Sequence, residues 1–266
     1  MARCRSGAAM TATPVQPVRP AATVIIARDG DADHDGRVEL EIFMLRRTNR
    51  AAFAGGMYVF PGGRVESDDH LHAWDPWRTG PSEAQAAQVR AVGNEWRGFW
   101  IAAIRETFEE SGLLLAYDER GTLLAWEDDA HEARFEALRH EVHEGRLDLL
   151  ELCARERLRL ACDHLHFYNR WVTPVGRPRR FDTRFFIAEA PPGQTGIHDE
   201  KETDDSLWIR PRVALERHQA GDFGLMAVTE RQLAALADFG SVAELHAWAV
   251  ARTDFPVFRP VLPPGS

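Results

Sequence analysis

The sequence predicts an α/β fold: one domain with helical insertions. Three observations carry this reading. β-branched or alternating segments lie both before and after a helical middle, which favours one sheet over two separate domains. Apolar residues recur at helical spacing through the long charged stretches. No internal repeat or long linker divides the chain, and 44% apolar with 27% charged residues over 266 positions is the ordinary globular balance.

Residues 1–20 hold no acid, lack an apolar core and are broken by Pro14, Pro17 and Pro20, so they read as a disordered tail, with Met10 as an alternative start to Met1. ATVIIA, from Ala21, reads as a strand, RDGDADHDGR as a polar turn and VELEIFMLRR as the second arm of a hairpin. The glycine-rich AGGMYVFPGGRVE contains a third strand around Met57 to Phe60, and residues 70–81 read as a loop. SEAQAAQVRAV opens on a capping box, Ser82 with Gln85. Asn94 is the expected cap of a longer helix, EWRGFWIAAIRETFEES, which Gly112 stops. Residues 129–160 form a charged helical segment. Strands return at HLHFYNRWVTP, RFDTRFFIAEA and DSLWIR, and helices entering at Pro211, Thr229 and Ser241 follow. The domain is expected to span 21–253, with 254–266 as a C-terminal tail.

A net charge of −9 speaks against a basic nucleic-acid binder and suits either a cation-gathering site or a solvated acidic surface. No run approaches the ~18 apolar residues of a membrane helix, so no membrane partner is expected. Cys4, Cys153 and Cys162 make no disulfide framework, and a reducing cytoplasm is the expected compartment. Lys201 is the only lysine, which reads as genome composition and not as function.

The strongest chemical signal is RETFEESGL, residues 105–113. On a helix Glu106, Glu109 and Glu110 share one face, while Ile101, Ile104 and Phe108 face the core. Three carboxylates so placed are either a solvated face or ligands for a hard cation such as Mg²⁺ or Mn²⁺. Upstream lies FPGGRVESDD, residues 60–69, where Gly62 and Gly63 let the backbone approach a ligand closely. A strand, a glycine loop and a carboxylate helix together describe a pocket for a diphosphate.

These segments resemble the Nudix box, G-x5-E-x7-R-E-U-x-E-E-x-G-U. Arg105, Glu106, Glu109, Glu110, Gly112 and Leu113 match its second half, and Thr107 replaces an aliphatic residue. Gly63 matches the first half, Asp69 stands where Glu is usual, and 35 residues separate Asp69 from Arg105 where the box has seven. The interruption resembles the subgroup that includes the mammalian peroxisomal coenzyme A diphosphatase. RPAATVI, LRRTNRAAFAGGMYVFPGG, and WVTP followed by RRFDTRFF resemble it too.

The resemblance implies a Nudix-type α/β/α sandwich with an insertion at about 70–94, inside the box, and C-terminal helices. It implies that Glu106, Glu109 and Glu110 ligate Mg²⁺ or Mn²⁺ and that Arg105 holds a box carboxylate. Gly62 and Gly63 would lie under the diphosphate. Asp69, one methylene shorter than the usual Glu, is expected to have difficulty reaching the site.

HDEKETDDSLWIR resembles a later loop from which many such enzymes recruit an acid. Glu200 and Glu202 are candidates for an extra ligand or the general base; the other reading is a solvated acidic turn. Arg179 and Arg180 either meet substrate phosphates or are surface arginines. Cys162, His164 and His166 alternate without a fourth ligand and read as a strand, not a transition-metal site. His140 and His143 read as exposed helix positions, and the eight tryptophans as core or pocket residues. Glu110, opposite the apolar row with no core to support, is expected to matter more to turnover than to folding.

The implied activity is metal-dependent hydrolysis of a diphosphate linkage in a small nucleoside-type substrate, with coenzyme A or acyl-coenzyme A suggested by the subgroup. ADP-ribose, dinucleotides and nucleoside diphosphate sugars are alternatives. A nucleotide-sensing module with a degenerate box is an alternative of another class, which the intact glutamates oppose. The resemblance leans towards a homodimer.

Overall fold

The computed structural model describes residues 16–32, 38–49, 54–199 and 201–262. In chain order the elements are β1 (Val18–Asp29), β2 (Leu40–Arg47), β3 (Tyr58–Val59), β4 (Gly62–Arg64), β5 (Arg78–Thr79), α1 (Ala86–Val92), α2 (Trp96–Ser111) and β6 (Ala116–Tyr117). They continue with α3 (Asp129–His143), α4 (Leu149–Glu156), β7 (Arg159–Ala161), β8 (His166–Val172), β9 (Arg180–Glu189) and β10 (Thr203–Ile209). The last are α5 (Pro211–Ala220), α6 (Ala227–Leu236), α7 (Val242–Ala251) and β11 (Val257–Phe258).

The main sheet runs β10-β2-β1-β9-β8-β11, with β3 on β2 and β4 on β1. Its central strands are covered on both faces, which is why they read as continuous apolar runs. Along β1, Ala22, Val24 and Ile26 face one core while Ile25 and Ala27 face the other. On β9, Phe186 and Ala188 alternate with Phe185 and Ile187 in the same way. The first core takes the buried sides of α1 to α4, including Trp100, Ile101, Ile104 and Phe108 of α2. The second takes α5, α6 and α7 through Ala214, Leu233, Leu236 and Leu245. This is the α/β/α sandwich. Among the described residues no helix is long and apolar enough to cross a membrane.

Several local expectations shift. β1 begins at Val18, because its parallel ladder with β9 runs from Val18↔Arg180 to Ala27↔Glu189 and holds Pro20 in extended backbone. Residues 1–15, and with them most of the expected tail, lie outside the described residues. Gly62–Arg64 is a strand and not only a loop, pairing antiparallel with Ala21–Thr23. The expected loop at 70–81 contains 3₁₀ turns and β5, which joins β6 and β7 in a small second sheet. The capping box at Ser82 and Gln85 forms, whereas α2 is capped at Glu95 and not at Asn94. The 129–160 segment breaks into α3 and α4 around Gly145, whose φ of 67° stops the first helix. α6 starts at Ala227, ahead of Thr229. In the expected C-terminal tail, Val257–Phe258 pairs in parallel with Arg170–Trp171 of β8.

Candidate active site

α2 is anchored by its apolar face, so its remaining face is carried past β4 with the box residues on it. Gly112 closes the helix in left-handed conformation, φ 71°. Thr107 is fully buried with its Oγ1 unpaired, so it serves as the aliphatic residue it replaces.

β4 supplies backbone where side chains would not fit. A Cβ on Gly62 would lie 2.4 Å from the Ala22 carbonyl oxygen, and one on Gly63 would lie 2.3 Å from Oε2 of Glu106. The Gly62 N–H donates to Oε2 of Glu110 at 2.9 Å. Glu110 is therefore only 7% exposed. This corrects the expectation that its side chain supports nothing: it is clamped to a neighbouring strand, which the helix face alone did not reveal.

Arg105 organises the rest. Its Nε and Nη2 donate to the two carboxylate oxygens of Asp69, each at 3.0 Å. Nη2 also donates to the Arg64 carbonyl at 2.9 Å. Nη1 donates to Oε1 of Glu106 at 3.0 Å and Oε1 of Glu109 at 3.2 Å. Asp69, 2% exposed, accepts a further bond from the Glu66 N–H at 2.8 Å. The shorter acid does reach, because the 3₁₀ turn at Asp68–His70 packs directly on α2.

Burial opposes the charge on Arg105, but Asp69, Glu106 and Glu109 outweigh it and raise its pKa. Burial, with repulsion from Glu109 and against the pull of Arg105, pushes Glu106 up to about 7. Burial likewise raises Glu109, with Arg105 and His143 opposing. Glu110 rises well above the usual carboxylate range through burial and repulsion from Glu106. The cluster is short of positive charge.

Each glutamate keeps one oxygen without a donor among the described residues: Oε2 of Glu106, Oε2 of Glu109 and Oε1 of Glu110. Those spare hard oxygens fit a divalent cation. They do not converge on one point as placed. Among the described residues no three His, Cys, Asp or Glu side chains form a ready cage, and Arg105 draws Glu106 and Glu109 towards itself.

The face opens into a cleft of ≈ 1590 Å³. Glu202 lines it, half-exposed, with Arg47 at 3.3 Å. Its turn is held by buried Asp199, which accepts from the backbone N–H groups of Lys201, Glu202 and Thr203. Glu200 lies outside the described residues. Arg180 lines the cleft but spends Nε and Nη1 on the carbonyls of Thr173 and Gln16, at 3.2 and 3.0 Å. Arg179 also lines it and has no acidic partner among the described residues.

His143 is not the exposed helix position expected from the sequence. It lines the cleft, with Nδ1 buried and unpaired and Nε2 3.9 Å from Asp199. A signal existed: it lies one turn after Arg139, which is 2% exposed and donates to the Glu109 carbonyl at 3.3 Å. His140 is half-exposed, as expected. His166 meets another histidine, His246, at 3.1 Å and no cysteine or acid.

A three-layer sandwich in which a strand of paired glycines receives the carboxylate face of one helix is the arrangement of Nudix hydrolases, and the chain belongs to that family. Within the family, residues 82–229 match the model of the NUDT19 Nudix domain. The chain is 31% identical over 274 residues to the chicken (Gallus gallus) acyl-coenzyme A diphosphatase NUDT19, covering 88% of this chain and 72% of that one. It is 27% identical to the Xenopus laevis protein of the same name, covering 81% of this chain and 64% of the relative. Among solved structures, a Nudix hydrolase from Alicyclobacillus acidocaldarius superposes with a TM-score of 0.67 at 26% identity, covering 90% of this chain and 97% of that one.

Proposed function

We propose that this protein hydrolyses the diphosphate linkage of coenzyme A or an acyl-coenzyme A, giving 3′,5′-ADP and (acyl-)phosphopantetheine. The observation that carries the reading is the Glu106, Glu109 and Glu110 face meeting Gly62–Gly63 at one wall of a large cleft. The names of the relatives supply the substrate class. The cleft exceeds the ~300–1,000 Å³ of ordinary small-molecule pockets, which favours a long substrate.

Glu106, Glu109 and Glu110 would hold Mg²⁺ or Mn²⁺ through their spare oxygens. When bound, the ion neutralises diphosphate oxygens and makes hydroxide available near neutral pH. Arg105 keeps the carboxylates aimed, fixed in turn by Asp69. Gly62 and Gly63 let the diphosphate lie against the backbone. Glu202 is the proposed general base, taking the proton of the attacking water as the new P–O bond forms and the bridging P–O bond breaks. Arg180, with donors to spare, meets a substrate phosphate.

The test is a panel of coenzyme A, acetyl-coenzyme A, ADP-ribose, a dinucleotide and a nucleoside diphosphate sugar, each with Mg²⁺, Mn²⁺ or excess chelator. Turnover of the coenzyme A substrates with release of 3′,5′-ADP, abolished by chelator, is expected. Full turnover in chelator overturns the metal role. Turnover of ADP-ribose or sugar nucleotides alone overturns the substrate.

A further inference from the structure

We propose that the cleft contains a second anion subsite, separate from the scissile diphosphate, that takes the phosphate monoester on the nucleoside half of the substrate. It is built on Trp171 and Phe181 and closed by Arg19, Arg179 and Arg231. The inference rests on the coenzyme A reading above, since the 3′-phosphate of that molecule is the monoester in question.

Strand register lays the floor. In the β1–β9 ladder Arg19 faces Phe181, Ala21 faces Thr183 and Thr23 faces Phe185. Trp171 of β8 continues the Ala21–Thr183 row, and Phe258 of β11 lies beyond Trp171. Trp171 and Phe258 stack with centroids 4.4 Å apart, and the Arg231 guanidinium lies 5.8 Å from the Phe258 ring centre. Trp171, Phe181 and the three arginines all line the same cleft as the carboxylates.

Three features mark this end as a ligand site. The chain carries 41 acids against 32 arginines and lysine, and arginines elsewhere pair with them, as Arg28 does with Glu41 and Arg46 with Asp204. Arg19, Arg179 and Arg231 all line this cleft and have no acidic partner among the described residues. The buried Nε1 of Trp171 is a donor without an acceptor. The N-terminus of α6, residues 226–229, lines the cleft here, and its cap Met226 offers no side-chain acceptor to the first-turn N–H groups. An aromatic surface suits a base, and forked guanidiniums beside free amides suit a dianionic phosphate.

The spacing fits one molecule over both sites. Gly62 and Gly63 pair with Thr23 and Ala22, so Arg19 lies three or four positions along β1, on the order of 10 Å. Trp171 is two strands across from Ala21, again on the order of 10 Å. A nucleoside bridges such a span, leaving its 5′-diphosphate at the glycines and its 3′-phosphate among the arginines.

The experiment compares coenzyme A with 3′-dephospho-coenzyme A on the wild type and on the double variant Arg179→Gln, Arg231→Gln, with melting curves to establish that the variant is folded. The wild type is expected to prefer coenzyme A at least tenfold in kcat/KM, mainly through KM. The loss in the variant should be at least tenfold larger on coenzyme A than on the dephospho form. Equal losses, or no wild-type preference, overturn the subsite while leaving the hydrolase reading intact. If neither compound is hydrolysed, the coenzyme A reading fails, and calorimetry with 3′,5′-ADP and 5′-AMP still decides the subsite. Tighter binding of 3′,5′-ADP, lost in the variant, sustains it; equal binding of the two overturns it.

Discussion

Arg105 and Asp69 join the two halves of the interrupted box by a two-pronged ion pair, Nε to Oδ1 and Nη2 to Oδ2, both at 3.0 Å. The pair does across an insertion what adjacency does in an uninterrupted box. It fixes the guanidinium that Glu106 and Glu109 share.

Asp69→Asn should therefore be costly. The Asp69 side chain is 3% exposed and that of Arg105 is 15% exposed. Breaking a buried pair on one side typically destabilises by about 3–5 kcal/mol. Urea unfolding should report a loss of that order, and turnover should fall because Arg105 is freed to pull on Glu106 and Glu109. A loss within the ~0.5 kcal/mol of an ordinary surface change would show Asp69 to be idle.

The two glycines of β4 should fail differently. Gly62 has φ 151° and its Cβ would strike the Ala22 carbonyl, a backbone atom, so Gly62→Ala should lower Tm markedly. Gly63 has no such demand on φ, and the nearest atoms its Cβ would strike are the end of the flexible Glu106 side chain. Gly63→Ala should thus keep most of the stability while displacing Glu106 and suppressing kcat. If Gly63→Ala turns over at the wild-type rate, Glu106 is not held where turnover needs it.

The carboxylate helix was legible because its information is local: Ile101, Ile104 and Phe108 mark the face packed in the core, the spacing of Glu106, Glu109 and Glu110 marks the carboxylate face, and Gly112 marks the stop. The strand Gly62–Arg64 was not, since two glycines carry no side-chain alternation and the pairing with Ala21–Thr23 is tertiary. The burial of Glu110 under that strand is hidden from the sequence for the same reason. A helical wheel assigns sides of a helix but not what a strand later lays over them. The break between α3 and α4 could have been read from Gly145 and Asp148, which end one helix and open the next. The approach of the Asp68–His70 turn to α2 could not, because it depends on the path of the whole insertion.

His166 predicts the response to acid. Its ring lies 3.1 Å from His246, and its Nδ1 is buried without a partner. Burial, with repulsion from His246 and His164, lowers its pKa to about 4. The unfolded chain takes up this proton near the ordinary 6.5, so between these values it binds more protons than the folded one. Stability is full above that window and is lost as pH falls through it, by at most about 3 kcal/mol. His166→Gln should flatten the slope of unfolding free energy against pH between 6.5 and 4. An unchanged slope would assign the acid sensitivity elsewhere.

Glu110→Gln separates turnover from folding. The carboxylate accepts the Gly62 N–H at 2.9 Å, and a Gln carbonyl can accept the same bond. Burial and Glu106 raise the Glu110 pKa well above normal, so without a cation the folded state holds this proton where the unfolded chain has released it. A raised carboxyl favours the folded state at low pH and disfavours it as pH rises, so the Gln variant should match the wild type in acid and exceed it at higher pH in chelator. In turnover the order reverses. Loss of the carboxylate proposed as a metal ligand should lower kcat by 10²-fold or more, about 2.7 kcal/mol of transition-state stabilisation. Melting curves in chelator at two pH values, with kinetics at saturating Mg²⁺, measure both. Unaltered kcat would remove Glu110 from the site, and a large fall in Tm would show that the Gly62 contact needs the charge and not merely an acceptor.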